Sequence, residues 1–524
     1  MINIGLITAK QAKLRPNAWA VYDQSSKKRI TFLELDELVK KIANGLMDLG
    51  LEKGDRVSIL SQNTIEFLAL FFACGRVGLV AHALNWRLGS DELVQIIENG
   101  QPKVIITQGQ FSETTRDLQR KINFIDHWLE YGSDSNSSFD ELIAKASSNE
   151  PIVPSSIGDE DPFFILYTGG TTGISKGALH THRSAYFGML NQTVAERIVP
   201  SDVYMLTGQM FHIPVLLAMN YTSHGCPIVL MNFDAELALN LIQEEKVSGF
   251  LGITTMLNWM LAVEGFDSYD LSSLRCVQYG GGPMPTRVIE EVLQKLPGGI
   301  IQGYGQTEGT TMTFLSQEDH VNAIKGINPE RLKSCGRAGY VTSVLVVDPD
   351  GKPVPNDNKT PGEIIVKSDA NMLGYYRQKD LTDKCIKDGW MWTGDIATWD
   401  EEEYIFIKDR AKDMIISGGE NIYSVQVEEA VSKHEAVLES AVFGIPDDEW
   451  GESVMAYVVL KPGMNATEKD IIDTAKENLA SYQKPRAVKF IDALPKAPTG
   501  KILKRELRDP YWEVFPIRIS KFSF

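Results

Sequence analysis

Cysteine is scarce: the 524 residues contain five, at positions 74, 226, 276, 335 and 385. No two stand close enough for a zinc or redox pair, so a disulfide scaffold and a clustered-thiol metal site are excluded, and all five read as buried small hydrophobes in a reducing compartment. A long apolar run is also missing. The nearest approach, Phe67 to Leu84, is broken by Gly75, Arg76, Gly78 and His82, which suits a buried helix running into a strand better than a membrane span. The first ten residues lack the basic stretch, apolar run and small-residue cleavage site of a secretory signal, so a cytoplasmic protein is expected. Positive charge is in deficit too: 52 basic residues face 69 acidic ones, a net charge of -17. A phosphate-backbone binder needs the opposite balance, so nucleic acid is not expected as a partner.

What is present is a long chain of ordinary globular composition, 43% hydrophobic and 23% charged, long enough to bury several cores. Asp36 to Leu49 is an amphipathic helical pattern, Asp55 to Leu60 strand-like, Thr64 to Val77 helical and Lys103 to Thr107 strand-like. That alternation predicts a parallel sheet with crossover helices. Polar tracts at Ser133 to Ser138 and Ser147 to Asp161 read as loops, and the rhythm resumes at Phe163. From Val341 to Ser368 it gives way to β-runs punctuated by Gly, Pro and Asp, as in an antiparallel or barrel-like subdomain. After Lys408 the pattern becomes that of a small α+β unit, with a helix over Glu468 to Leu479.

The sharpest local signal is Tyr167-Thr-Gly-Gly-Thr-Thr-Gly-Ile-Ser-Lys-Gly177, which follows the apolar run Phe163 to Leu166. Glycines after a strand free backbone N–H groups to face one concavity, and hydroxyls with a lysine add donors and charge. That is a phosphate cradle, though not a Walker A loop, which needs Gly before the lysine and Ser or Thr after it. Gly280-Gly-Gly-Pro-Met-Pro285 and Gln302-Gly-Tyr-Gly-Gln-Thr-Glu-Gly309 each follow strand-like runs; taken singly, such glycine clusters are as readily tight turns. The charged run Lys408-Asp-Arg-Ala-Lys-Asp413 taken alone is a solvated connector, but it coincides with the change of texture. Pro495-Lys-Ala-Pro-Thr-Gly-Lys501 frames a lysine near the C-terminus.

Together and in this order the motifs resemble the adenylate-forming superfamily, which includes acyl-CoA synthetases, coumarate-CoA ligases, luciferase and peptide-synthetase adenylation domains. The likeness runs from about Thr31 to Lys504 and is nearest to bacterial fatty acyl-CoA synthetases of the mycobacterial type. Gly169 and Ser175 depart from the family's serine and proline. The resemblance implies an α/β fold. Its large N-terminal domain, residues 1–411, holds two α/β subdomains and a β-barrel-like one, and a small mobile α+β domain, 412–524, follows. It implies ATP, Mg²⁺ and coenzyme A. ATP or AMP would be met by Thr168, Gly169, Gly170, Thr171, Thr172, Gly173, Lys176, Gly280, Gly281, Gly282, Pro283, Gln302, Gly303, Tyr304, Gly305 and Thr307. Asp395 and Arg410 would hold the ribose, with Thr168 and Glu308 on the metal. Lys412 would be the hinge, and Lys501, which also meets the nucleotide, would be catalytic together with His212 and Glu308. Gly418, Gly419 and Trp450 would line the coenzyme A path, and His212, Pro214, Tyr221, Tyr279 and Gly281 the acyl pocket.

The chemistry implied is activation of a carboxylate as acyl-AMP with release of pyrophosphate, then transfer to the thiol of coenzyme A. A mobile ammonium such as Lys501 offsets charge building on the α-phosphate. A medium- or long-chain fatty acid is the expected substrate, with an aryl or short-chain acid as the alternative. An amino-acid-adenylating enzyme, a luciferase-like oxygenase and a non-catalytic acyl-nucleotide binder are the rivals; retention of Lys501, Glu308, Asp395 and Arg410 speaks against the last. A homodimer and contact with the inner face of a membrane are left open, and the tail from Arg505 has no reading.

Overall fold

The computed structural model describes residues 2–133, 137–153, 156–168, 175–282, 284–496 and 502–513. The chain divides into two compact units, Met1–Val344 with Val366–Met391, and Leu345–Ile365 with Trp392–Phe524. The boundary expected after Ala411 falls inside the second unit.

The first unit is built on two large sheets. A seven-stranded sheet runs in the order Gly374–Tyr375, Lys176–Thr181, Pro162–Thr168, Val80–Leu84, Arg56–Leu60, Val104–Gln108 and His127–Tyr131. The last five of these strands are parallel neighbours and the first two are antiparallel additions. The nine-stranded sheet is likewise parallel through its middle, from Ile300–Gln306 through Cys276–Gly280, Gly249–Leu251, Tyr204–Leu206 and Ile228–Leu230 to Trp19–Asp23. In parallel sheets the loops at the carboxyl ends of the strands form the ligand crevice. The three Gly-rich motifs leave the carboxyl ends of Pro162–Thr168, Cys276–Gly280 and Ile300–Gln306.

Helix Ile65–Val77 is buried at every position but Glu66 and packs in the main core. Its single internal charge, Arg76, is paired with Asp36 at 2.9 Å and Glu150 at 2.6 Å. Among the described residues no helix is long and apolar enough to cross a membrane. The amphipathic helix expected from Asp36 begins earlier, at Phe32, because Thr31 and Glu34 form a capping box around its first turn. Four cysteines are buried as expected; Cys385 is only half-buried, at the end of the short helix Lys379–Cys385.

In the second unit, strand Trp390–Trp399 pairs antiparallel with Ile405–Arg410. These belong to the five-stranded sheet that stands where a barrel-like subdomain was expected. A further five-stranded sheet combines Glu420–Ile422, Ile415–Ser417, Gly451–Leu460, Val437–Asp447 and Ala487–Phe490. Helices Ser424–Val431 and Glu468–Asn478 close its core through Val427, Val431, Ile471 and Ala475. Of the tail that had no reading, the part up to Glu513 lies in helix Lys504–Glu513; residues 514–524 lie outside the described residues.

Candidate active site

Thr168 and Lys176 are cross-strand partners, the last pair before the phosphate loop that joins their two strands. Gly169, Gly170, Thr171, Thr172 and Gly173 lie outside the described residues, as do Pro283 and Lys501. The loop leads into strand Lys176–Thr181, not into a helix. The element that follows the loop therefore offers it no helix N-terminus, unlike a Walker A site. Lys176 Nζ lies 5.1 Å from the centre of the Tyr375 ring. The Tyr375 hydroxyl donates to Glu308 Oε1 at 2.7 Å. Burial and the neighbouring Glu308 and Cys385 push that hydroxyl's pKa up, so it stays a neutral donor. Glu308 is half-buried on the turn after Ile300–Gln306, and His180 Nε2 contacts the Thr307 carbonyl at 2.8 Å, fixing the same turn. A half-buried carboxylate and a threonine hydroxyl are hard oxygen donors, which suits Mg²⁺ shared with nucleotide phosphates.

The Gly280–Pro285 and Gln302–Gly309 motifs are neighbours because their strands are paired, Gly280 opposite Gly303. A Cβ on Gly280 would lie 2.2 Å from the Gly303 carbonyl oxygen, so the protein's own backbone demands that glycine. Gly281 is different: its φ is +76° and, among the described residues, nothing lies within 4 Å of a Cβ there, leaving a left-handed turn that a ligand can approach. Gln302 Oε1 is buried without a hydrogen-bond partner. Tyr304 sits opposite Thr313, with a bulge between it and Gly305.

His212 precedes helix Pro214–Ser223, and its Nε2 is buried without a partner among the described residues. Burial, reinforced by the charge of Arg87, lowers its pKa to about 4. It is thus a neutral imidazole, able to hydrogen-bond a carboxylate but not to ion-pair with one. Nearby, Met189, Gln192, Ile213, Leu216, Leu217, Asn220 and Thr310 line a narrow cavity. Tyr221 and Tyr279, expected on the acyl wall, are core residues instead, each 1% exposed. Tyr221 stacks on Tyr204 at 4.1 Å and donates to Glu196 Oε2 at 2.6 Å. Tyr279 packs in a separate core and bonds His320 Nε2 at 2.8 Å. The resemblance implied an acyl wall here; burial in the core, with both hydroxyls bonded inside the protein, keeps them from one. Thr310 was missed. It carries φ +55°, unusual for a β-branched residue, and its hydroxyl is buried without a partner. Only its place just after Glu308 could have marked it.

In the second unit Asp395 is buried, and Arg410 Nε lies 2.9 Å from its Oδ1. The two are register partners of adjacent strands. Thr393 Oγ1 donates to the Ile364 carbonyl and the Gly394 N–H to Glu363 Oε1, both at 2.8 Å, which anchors the turn carrying Asp395. Gly418 and Trp450 also meet: the Gly418 N–H donates to the Trp450 carbonyl at 2.7 Å. With φ +60°, a Cβ on Gly418 would strike the indole at 2.7 Å. Gly419 follows, also at positive φ. Lys412 sits in a turn whose carbonyl accepts from Arg508 Nη1 at 3.3 Å. This tie from the C-terminal helix had no sequence signal.

In the first unit the strand order brings the Gly280–Pro285 and Gln302–Gly309 motifs together at the carboxyl ends of paired parallel strands, where α/β sheets bind their ligands. The AMP-binding enzyme model matches residues 8–376, and the model of the AMP-binding enzyme C-terminal domain matches 426–501. The chain belongs to the AMP-binding enzyme family. It is 34% identical to the long-chain-fatty-acid–CoA ligase FadD13 of Mycobacterium tuberculosis (strain CDC 1551 / Oshkosh), over 98% of this chain and 100% of that one. It is 33% identical to a feruloyl-CoA synthase of an Amycolatopsis species, over 96% and 98%. Among solved structures, ATP-bound MatB from Rhodopseudomonas palustris superposes with a TM-score of 0.86 at 27% identity, covering 98% of this chain and 100% of that one. The chain is accordingly an adenylate-forming CoA ligase that uses ATP, Mg²⁺ and coenzyme A.

Proposed function

We propose that the acid activated is a medium- or long-chain fatty acid. The observation that supports this reading is the apolar lining of Met189, Ile213, Leu216 and Leu217 around a cavity of about 10 Å³ between helices His182–Glu196 and Pro214–Ser223; that is room for about one water, so an acyl chain enters only when these side chains move apart. His212 as a neutral donor orients the carboxylate. Mg²⁺ neutralises phosphate charge when bound, held by Glu308 and Thr168. Lys176 and the loop from Thr168 hold the phosphates, Gln302 Oε1 accepts from the adenine amine, and Asp395 with Arg410 takes the ribose. Lys501 stabilises the charge that develops as the carboxylate attacks the α-phosphate and pyrophosphate leaves, a contribution of about 3 to 4 kcal/mol. A turn about Lys412 then presents Gly418, Gly419 and Trp450 for thioester formation.

One observation favours the second reading, an aryl or short acid bearing a polar group. The same cavity holds Gln192, Asn220 and the unpartnered Thr310 hydroxyl, and an alkyl chain would leave that hydroxyl unpaired at a cost of about 1 to 3 kcal/mol. Pyrophosphate release across aliphatic and aromatic acids, with and without coenzyme A, decides between them. Fatty acids ahead of aryl acids support the first reading; the reverse order removes it. Cytoplasmic residence, with contact at the membrane's inner face for a long-chain acid, goes with the first reading; co-sedimentation with lipid vesicles tests that contact.

A further inference from the structure

We propose that Tyr375 is the positioning residue of the metal and phosphate side of the site, its hydroxyl aiming Glu308 and its ring carrying Lys176. The inference rests on the roles given above to Glu308 and Lys176.

The geometry is carried by the backbone as well as the side chain. Residues 372–376 run as a clip between the strand that leaves the phosphate loop and the turn that bears Glu308. On one side, Gly374 pairs with Leu179 and Tyr375 with Ala178, and the Tyr376 N–H donates to the Gly177 carbonyl at 2.7 Å. On the other, the Met372 N–H donates to the Glu308 carbonyl at 2.7 Å. At the centre of this clip the Tyr375 side chain, 8% exposed, reaches both functional groups, its hydroxyl 2.7 Å from Glu308 Oε1 and its ring centre 5.1 Å from Lys176 Nζ. The Tyr375 N–H is held separately by Thr382 Oγ1 at 2.9 Å, so the fold of the clip does not depend on the hydroxyl.

The physical consequence is preorganisation. A carboxylate on a half-buried turn has several rotamers, and only those facing the phosphates help to hold a cation. A hydrogen bond from a neutral phenol to one oxygen selects among them and leaves the other oxygen its acceptor capacity. The π-face under the ammonium does the same for Lys176, favouring the rotamers that keep its Nζ over the ring. A phenylalanine would supply the second function without the first, and a leucine neither.

The test uses the full-length protein and Tyr375→Phe and Tyr375→Leu variants. Binding of Mn²⁺ in the presence of ATP is followed by electron paramagnetic resonance, with the Mg²⁺ dependence of pyrophosphate release and the thioester step from supplied acyl-AMP measured alongside. Tyr375→Phe should weaken Mn²⁺ binding about tenfold, the worth of one hydrogen bond to a charged group. It should raise the Mg²⁺ requirement similarly, recover kcat at saturating Mg²⁺, and leave the thioester step unchanged. Tyr375→Leu should in addition raise the KM for ATP. Unchanged Mn²⁺ binding in Tyr375→Phe, or equal losses in both half-reactions, overturns the proposal. The Mn²⁺ titration requires no acid, so it judges Tyr375 even if every acid in the panel fails and the substrate reading falls.

Discussion

Asp395 offers the sharpest check on the nucleotide side, because the structure limits what its carboxylate can do. The strand Trp390–Trp399 and the anchored turn before it fix its position. Arg410 Nε occupies one lone-pair direction of Oδ1 at 2.9 Å. A carboxylate has about four such sites, and in the proposed role two of them take the ribose hydroxyls. Asp395→Asn keeps the shape but removes the charge and one acceptor. If each ribose hydroxyl donates to an ionised oxygen, losing one such bond costs about 1.5 to 3 kcal/mol, or roughly 10- to 150-fold in kcat/KM for ATP. The cost to the fold should stay near 1 kcal/mol or below, because the Arg410 side chain is 37% exposed and water can replace its partner. The assay is a cycle: ATP and 2′-deoxy-ATP, each with wild type and variant, read as pyrophosphate release. Wild type should discriminate against the deoxynucleotide by about tenfold or more, and the variant much less. Equal discrimination by both proteins would refute a ribose contact at Asp395.

Lys501→Ala should lose adenylation by a factor of hundreds or more, the worth of about 3 to 4 kcal/mol, yet form thioester from supplied acyl-AMP; equal loss of both steps would contradict a hinge at Lys412. Gly418→Ala introduces about 1 to 2 kcal/mol of backbone strain and a clash with Trp450, so acyl-AMP should accumulate with coenzyme A present, visible by chromatography of quenched reactions. Glu196 is an acid whose pKa burial raises from 4.5 to about 7. Its contribution is fully present below pH 4.5 and lost as pH rises through 7, about 3 kcal/mol in all; Glu196→Gln should flatten that part of the stability profile in denaturant titrations from pH 5 to 8.

The fold was legible where local signals and burial agreed. The run Phe163 to Leu166 before a glycine loop, and the broken apolar stretch after Phe67, each predict an element that the structure contains, Pro162–Thr168 and then Ile65–Val77 running to Val80–Leu84. What stayed illegible depends on contacts distant in sequence. Tyr221 is on a buried helix face either way, and only the presence of Glu196, on another helix, commits its hydroxyl. The link from Tyr375 to Glu308 spans 67 positions, and no spacing rule connects them.

The glycines show why motif reading and structure had to be combined. In sequence, Gly280 and Gly281 are equivalent members of one triplet, and both suggest close approach of a ligand. In the fold, Gly280 is spent on the carbonyl of Gly303, while Gly281 faces open space. Replacing Gly280 therefore attacks the parallel pairing that brings the two nucleotide motifs together, and replacing Gly281 attacks only the surface a nucleotide would meet. The same reasoning reframes the net charge of -17. In the proposed site an acidic protein meets ATP with placed cations, Lys176 over the Tyr375 ring and Arg410 on Asp395, while backbone N–H groups add donors without changing the net charge. Charge that decides binding at this range is local, since beyond about 10 Å salt screens the rest.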